Sequence, residues 1–285
     1  MRKKLEITEK ELARFAGYLR REEREASTIE AYLRAARRFA AWLDGRAVTK
    51  ELAAAWKAQL LEQGYRLVSV NAMLAAVNKL LVCMGREDCK VRYLKLQRQM
   101  FRKSERELTR AEYQRLLDAA QARGDIRLLL LLETLCATGI RVSELQYITV
   151  EAAQNGVAEI SLKGKIRTIL LPTKLCRKLL KYAKKCGIVQ GQIFLTKNGN
   201  GLSRKFIWAE MKKLCEAAKV ARSKVFPHNL RGLFARTFYA ACRDVVRLAD
   251  VLGHSSIETT RIYLLSTAKE SARQLDRLGL LSGWA

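Results

Sequence analysis

Leu252-Gly253-His254-Ser255-Ser256-Ile257-Glu258-Thr259-Thr260-Arg261-Ile262-Tyr263 is the stretch from which the rest of the chain is best read. Gly253 suits the position just past a helix ending near Leu252, because glycine takes the left-handed conformation that closes a helix without steric cost. Ser255 and Glu258 have the spacing of a capping box, so a second helix is expected to start there and to carry Tyr263. His254 falls in the tight turn between the two helices. Read alone, Tyr263 is a core or interface aromatic more often than a reactive one, since its neighbours Ile262 and Leu264 are apolar. A lone histidine is likewise more often structural than catalytic. The company these two residues keep changes that reading.

The chain has two histidines, and the second, His228, lies in Pro227-His228-Asn229-Leu230-Arg231. Further toward the N-terminus stands Ala137-Thr138-Gly139-Ile140-Arg141-Val142-Ser143-Glu144-Leu145. Between them, Ala158 to Leu162 and Arg167 to Leu171 are β-prone runs separated by Lys163-Gly164-Lys165, which is a hairpin signal. Breaking a phosphodiester needs charge on the non-bridging oxygens, a nucleophile and a proton for the leaving oxygen. Arg141 and Arg231 can each make forked, charge-assisted hydrogen bonds to a phosphate and stay protonated at any working pH, so no metal is required. For either arginine alone a surface salt bridge is the commoner role. Two histidines with no Cys or carboxylate at ligand spacing make an incomplete metal site. No metal and no cofactor is expected.

These segments, in this order, resemble the tyrosine recombinase family, which includes Xer-type recombinases and phage or transposon integrases. The resemblance rests on an Arg after Thr-Gly and before Ser-Glu-Leu, a hairpin Lys, His-x-x-Arg, Leu-Gly-His, and a Tyr nine residues beyond that His. Each motif is weak alone and the set is specific. The resemblance implies Tyr263 as nucleophile, giving a 3′-phosphotyrosyl link and a free 5′-hydroxyl that can reseal without a nucleotide cofactor. It implies Arg141 and Arg231 on the phosphate, His254 hydrogen-bonded to it, His228 assisting proton transfer from Tyr263, and Glu144 as a brace for Arg141. Lys163 matches the family's general acid, with Lys165 as its competitor; both lysines are also open to the simpler reading of phosphate contacts. One departure stands out: the family usually continues His-Thr-Phe-Ala after the second arginine, where this chain has Gly232-Leu233-Phe234-Ala235. A glycine early in a helix costs about 1 kcal/mol against alanine.

Composition agrees with a polyanionic partner. Lys and Arg total 54 against 28 acidic residues, a net charge of +26 spread along the whole length. Nucleic acid is the commonest compensating partner for such an excess. An anionic membrane surface fits less well, because the charge is not confined to one tail or amphipathic helix. The longest apolar run, Leu128 to Leu132, is too short to span a bilayer, and no signal peptide precedes the first helix. Seven scattered cysteines without a C-x-x-C pair fit a reducing cytoplasm.

The expected fold class is mainly α with a small β-sheet: a helical core-binding domain over residues 1–97, a basic linker over 98–106, and an α+β catalytic domain over 107–285 with a C-terminal tail at 268–285. In the first domain, Thr8 with Glu11 and Ser27 with Glu30 predict capped helices, followed by helices over Lys50 to Glu62 and Val68 to Met84 with stops at Gly64 and Gly85. The basic stretch Arg92 to Arg106 carries Arg98, Arg102 and Lys103 as candidate DNA contacts, with an ordinary solvated connector as the alternative. Thr109 with Glu112 opens the second domain, with helices over Arg110 to Ala122 and Ile126 to Thr138, and helices resuming from Lys174.

The resemblance further implies a C-shaped clamp on double-stranded DNA and a homo-tetramer, or pairing with a related recombinase, that passes through a Holliday junction. It implies a minimal two-domain enzyme without an arm-site domain, acting in the bacterial cytoplasm at the nucleoid. Leu275, Leu278, Leu280, Leu281 and Trp284 make the tail either a segment folded on its own core or one donated to a neighbour. Two rivals share much of this pattern: a type IB topoisomerase, and a DNA-binding protein without activity.

Overall fold

Helices α1 (Glu9–Arg21), α2 (Ala26–Leu43), α3 (Lys50–Glu62) and α4 (Leu67–Cys83) come first in the computed structural model, which describes residues 6–96, 104–162, 165–265 and 268–278. Each aligns apolar side chains at helical spacing and buries that face. Phe39, Leu43, Trp56, Leu60, Leu74 and Leu81 form one core, and Phe15, Leu19, Ala36 and Leu80 a second. A fully buried side chain of this kind contributes about 1.5–3 kcal/mol. That exceeds the roughly 1 kcal/mol of a helix cap, and the starts of α1 and α2 show it. The Thr8 hydroxyl bonds to the Glu11 carboxylate and caps no backbone N–H. Helix α2 begins at Ala26, so Ser27 sits inside its first turn and the expected box does not form. Thr49 does cap α3, accepting the N–H of Leu52 at 3.2 Å.

The chain beyond α4 returns along that helix. Asn78 bonds both the N–H and the C=O of Val91, at 2.8 and 2.9 Å, and Asn71 does the same for Leu94. Two side-chain amides thus satisfy the backbone polar groups that a paired strand would otherwise satisfy. Arg92 and Tyr93 therefore belong to the helical unit, and the basic stretch read from Arg92 begins later. The chain divides into two compact units, Met1–Arg98 and Gln99–Ala285. Arg98, Arg102 and Lys103 lie outside the described residues.

The second unit opens with a capping box: Thr109 accepts the N–H of Glu112 at 3.1 Å, and the Glu112 carboxylate accepts the N–H of Thr109 at 2.8 Å. Helices α5 (Arg110–Ala122) and α6 (Ile126–Thr138) follow, then a 3₁₀ segment Val142–Tyr147, α7 (Val150–Asn155), and strands β1 (Val157–Leu162) and β2 (Lys165–Leu170). The strands pair antiparallel from Val157↔Leu170 to Leu162↔Lys165. Lys165 is thus a strand residue and not part of the turn; Lys163 lies outside the described residues. Ala158, Ile160 and Ile169 face the core, while Ile166 and Leu170 face outward. Helices α8 (Thr173–Lys185), α9 (Arg204–Lys213), α10 (Pro227–Cys242), α11 (Val245–Leu252), α12 (Ile257–Arg261) and α13 (Ala268–Asp276) complete the unit. Its core gathers Leu116, Leu131, Leu135, Ile148, Leu179, Ile193, Met211 and Leu230. Leu275 and Leu278 of the tail are exposed; Leu280, Leu281 and Trp284 lie outside the described residues. No described helix is long and apolar enough to cross a membrane.

One contact fixes the site's first element against its second. Helix α6 packs on α10, and α6 ends at Gly139 with φ +64°. A Cβ on Gly139 would lie 2.3 Å from Cδ1 of Phe234. Glycine therefore answers two demands here, the left-handed helix end and the close approach of α10. The chain turns there and delivers Arg141 toward Arg231.

Candidate active site

Arg231 is the most deeply set of the site's cations, 3% exposed in the second turn of α10. Nη1 donates to the carbonyl of Gly139. Nη2 donates to the carbonyl of Leu252 at 2.6 Å and to Nε2 of His254 at 2.9 Å. One guanidinium thus joins the end of α6, the end of α11 and the His254 turn. The two carbonyls are helix-end acceptors left open by the helices themselves. Burial, together with the Arg141 charge nearby, pushes the Arg231 pKa down to about 10, which still leaves it charged at neutral pH. An arginine has five N–H donors, so Nε and the second hydrogen of Nη1 remain after these bonds.

Arg141 is held from beneath. Its backbone N–H donates to Oε2 of Glu144 at 2.7 Å and its Nη1 lies 3.0 Å from Oε1. Glu144 is buried, while 43% of the Arg141 side chain is exposed. The carboxylate therefore pins the backbone and one arm of the fork, while much of the side chain faces solvent. Glu144 also pairs with Nη2 of Arg167. Arg167 escaped the reading of the sequence, where it looked like one more cation in a β-prone run. Its signal is its register: it shares the inward face of β2 with Ile169 and pairs with buried Ile160.

His254 sits in the turn between α11 and α12, after Gly253 at φ +62°. Because Nε2 accepts from Arg231, a neutral ring must carry its proton on Nδ1, which then donates to Oγ1 of buried Thr260 at 2.8 Å. Burial, reinforced by Arg231, Arg141 and Arg167, pushes the His254 pKa down to about 4. Ser256, not Ser255, caps α12, accepting the N–H of Glu258 at 3.2 Å. Helix α12 ends at Arg261, so Tyr263 lies in the turn just beyond it and not on the helix. Its ring is buried, stacked on His254 with centroids 6.1 Å apart and tilted toward His228 at 5.7 Å. The hydroxyl reaches Nε2 of His228 at 3.5 Å. Burial and the charges of Arg231 and Arg141 lower the His228 pKa.

The structure thus brings together Arg141, Glu144, His228, Arg231, His254 and Tyr263, and adds Arg167 and Thr260. Residues 106–270 match the family model described as the phage integrase family. The chain belongs to this family. Its members are tyrosine-type, site-specific DNA recombinases, and the chain is an enzyme of that type. It is 29% identical to tyrosine recombinase XerA of Pyrococcus furiosus, over 95% of this chain and 94% of that protein. It is also 29% identical to tyrosine recombinase XerD of Vibrio cholerae, over 77% of each. The fold is shared with a XerH recombinase bound to its difH substrate (TM-score 0.68, 18% identity, 94% of this chain and 84% of that one). It is shared as well with a lambda integrase tetramer on a Holliday junction (TM-score 0.71, 18% identity, 90% and 76%).

Proposed function

We propose that this recombinase cleaves and rejoins double-stranded DNA through a 3′-phosphotyrosyl intermediate, without metal or ATP. The Tyr263 oxygen attacks the phosphorus, forming the tyrosyl ester as the P–O5′ bond breaks. The phenol proton passes to His228, and the 5′ oxygen leaves as a hydroxyl on taking a proton from Lys163. Arg141 and Arg231 stabilise the charge that gathers on the non-bridging oxygens. Resealing is the same exchange run backward by a 5′-hydroxyl, so the bond energy is kept. The observation that carries this reading is the Tyr263 hydroxyl 3.5 Å from His228, on a buried ring packed against His254, which is itself bonded to Arg231.

The rest of the reading follows from the same chemistry. Lys165, Arg98, Arg102 and Lys103 contact the DNA backbone, and both units contribute basic surface to one duplex. Two sites are joined by a homo-tetramer, or by pairing with a related recombinase, and strands exchange through a Holliday junction. The protein works at the nucleoid. The decisive experiment traps the covalent adduct on a nicked substrate whose cleaved fragment diffuses away. Wild type is expected to accumulate it and Tyr263→Phe to form none. An adduct of equal yield with Tyr263→Phe removes the nucleophile assignment, and relaxation of a plasmid without exchange between two sites removes the recombination.

A further inference from the structure

The Arg167 side chain is only 14% exposed, and a cation so far withdrawn from water needs close partners. It sits on the inward face of β2, beside the core residue Ile169. Nη2 pairs with Oε2 of Glu144, and Nη1 donates to the carbonyl of Val251 at 3.1 Å. Nε is buried and has no hydrogen-bond partner among the described residues.

Both partners lead to the phosphate pocket. Glu144 holds Arg141 through its other oxygen and through the Arg141 backbone N–H. Val251 precedes Leu252, whose carbonyl takes Arg231, and is three residues from His254. The His254 turn closes directly over the Arg167 stem. A Cβ on Gly253 would lie 2.4 Å from Cδ and 2.6 Å from Nη1 of Arg167. A glycine at 253 thus ends α11 and also makes room for this side chain.

We propose that Arg167 is a positioning residue, which sets Arg141 and His254 in register on the scissile phosphate by tying β2 to Glu144 and to the end of α11. It acts through those residues and touches no reacting atom. The inference rests on the function proposed above. Among the described residues Arg141 has one carboxylate partner, and that carboxylate is shared. Without Arg167, Glu144 answers to Arg141 alone and the end of α11 loses a tether, so both phosphate ligands shift. A displacement of about 1 Å is enough to cost about a hundredfold in rate.

The test compares wild type, Arg167→Met and Arg167→Lys in single-turnover adduct formation at saturating DNA. Arg167→Met is expected to lose about a hundredfold or more in the cleavage rate, with DNA affinity changed less than about threefold, since its cation faces the protein. Arg167→Lys, which keeps the charge but cannot span both acceptors, is expected in between, and it keeps the question open to measurement should Arg167→Met not fold. A second readout needs no catalysis: the His254 ring titration by NMR in the free protein, which moves upward when the nearby Arg167 charge is removed. If both variants cleave at the wild-type rate, the inference is overturned whatever the His254 titration does. If wild type itself forms no adduct, the proposed function falls, while the titration alone still judges the tie between Arg167 and the His254 turn.

Discussion

Nη2 of Arg231 donates to Nε2 of His254 at 2.9 Å, which makes the imidazole an acceptor at the face where a phosphate would need a donor. The ring is kept neutral by its burial and by three nearby guanidiniums, with a pKa of about 4 against the ordinary 6.5. A bound phosphate adds negative charge and reverses that balance. His254 is therefore expected to take up a proton, or to exchange tautomers, as DNA binds. Histidine NMR spectra in the free and DNA-bound protein check this: the free ring should titrate near 4 and the bound ring above it. A free His254 that titrates near 6.5 contradicts the hydrogen-bond assignment.

The same shift sets a direction for stability. The folded pKa of His254 lies below the unfolded value, so between about 6.5 and about 4 the unfolded chain binds more protons than the folded one. Stability attributable to this group is fully present above the unfolded pKa and is lost as the pH falls through that window. His228 is shifted the same way and adds to the slope. Melting temperature should fall from pH 7 to pH 5, and His254→Asn should flatten that dependence. An unchanged slope in the variant would assign it elsewhere.

Much of the architecture could be read from the chain, and the limits have physical causes. Helix α3 and the pair α5 and α6 have the bounds their periodicity and caps predict. The boxes at Thr8 and Ser27 failed because a cap of about 1 kcal/mol yields to the burial of a whole helix face. Ser255 has the capping-box spacing to Glu258, yet the path of the turn after Gly253 makes Ser256 the cap. Arg167 was invisible because its partners stand 23 residues before it and 84 after it. No local pattern reports such a bond. Thr260 was missed although His254 stands only six residues before it, since Thr is an ordinary helix residue until a histidine turns toward it.

Thr260→Val isolates the bond that fixes the His254 tautomer. The substitution keeps the shape at a fully buried position and removes the acceptor for Nδ1–H. Leaving that donor unpaired costs about 1–3 kcal/mol. Cleavage is expected to drop by about tenfold as the ring loses its orientation, with DNA affinity unchanged; each tenfold corresponds to about 1.4 kcal/mol. Single-turnover rates and a denaturant melt measure the two effects separately. Wild-type values in both would make the contact dispensable.

Gly139 and Gly156 separate backbone strain from steric closure. Both have positive φ, +64° and +71°, but only Gly139 has a neighbour where a Cβ would go. Gly156→Ala should cost about 1–2 kcal/mol, the left-handed penalty alone. Gly139→Ala carries that penalty and also pushes Phe234 away, adding about 1–3 kcal/mol. Because Phe234 lies on the helix that carries His228 and Arg231, cleavage should fall only in the Gly139 variant. Equal melting shifts for the two would mean that Phe234 moves aside freely.

Gly232, where the resembled family usually has histidine, lies beneath the nucleophile assigned here. A Cβ built on it falls 3.7 Å from Cε1 of Tyr263, an ordinary contact, and 3.3 Å from Nη1 of Arg236, a tighter one. Alanine therefore fits if the end of Arg236 gives by a few tenths of an ångström. The helix gains about 1 kcal/mol from the exchange, so Gly232→Ala should be neutral or slightly stabilising and should keep its activity. Gly232→Leu continues from the same Cβ into the space the Tyr263 ring fills. It should displace the phenol from His228 and reduce adduct formation by at least about tenfold, with DNA affinity near wild type and stability lowered by about 1–3 kcal/mol through overpacking. Adduct formation at the wild-type rate in Gly232→Leu would mean that the ring reaches the phosphate from some other position than the one it occupies beside Gly232.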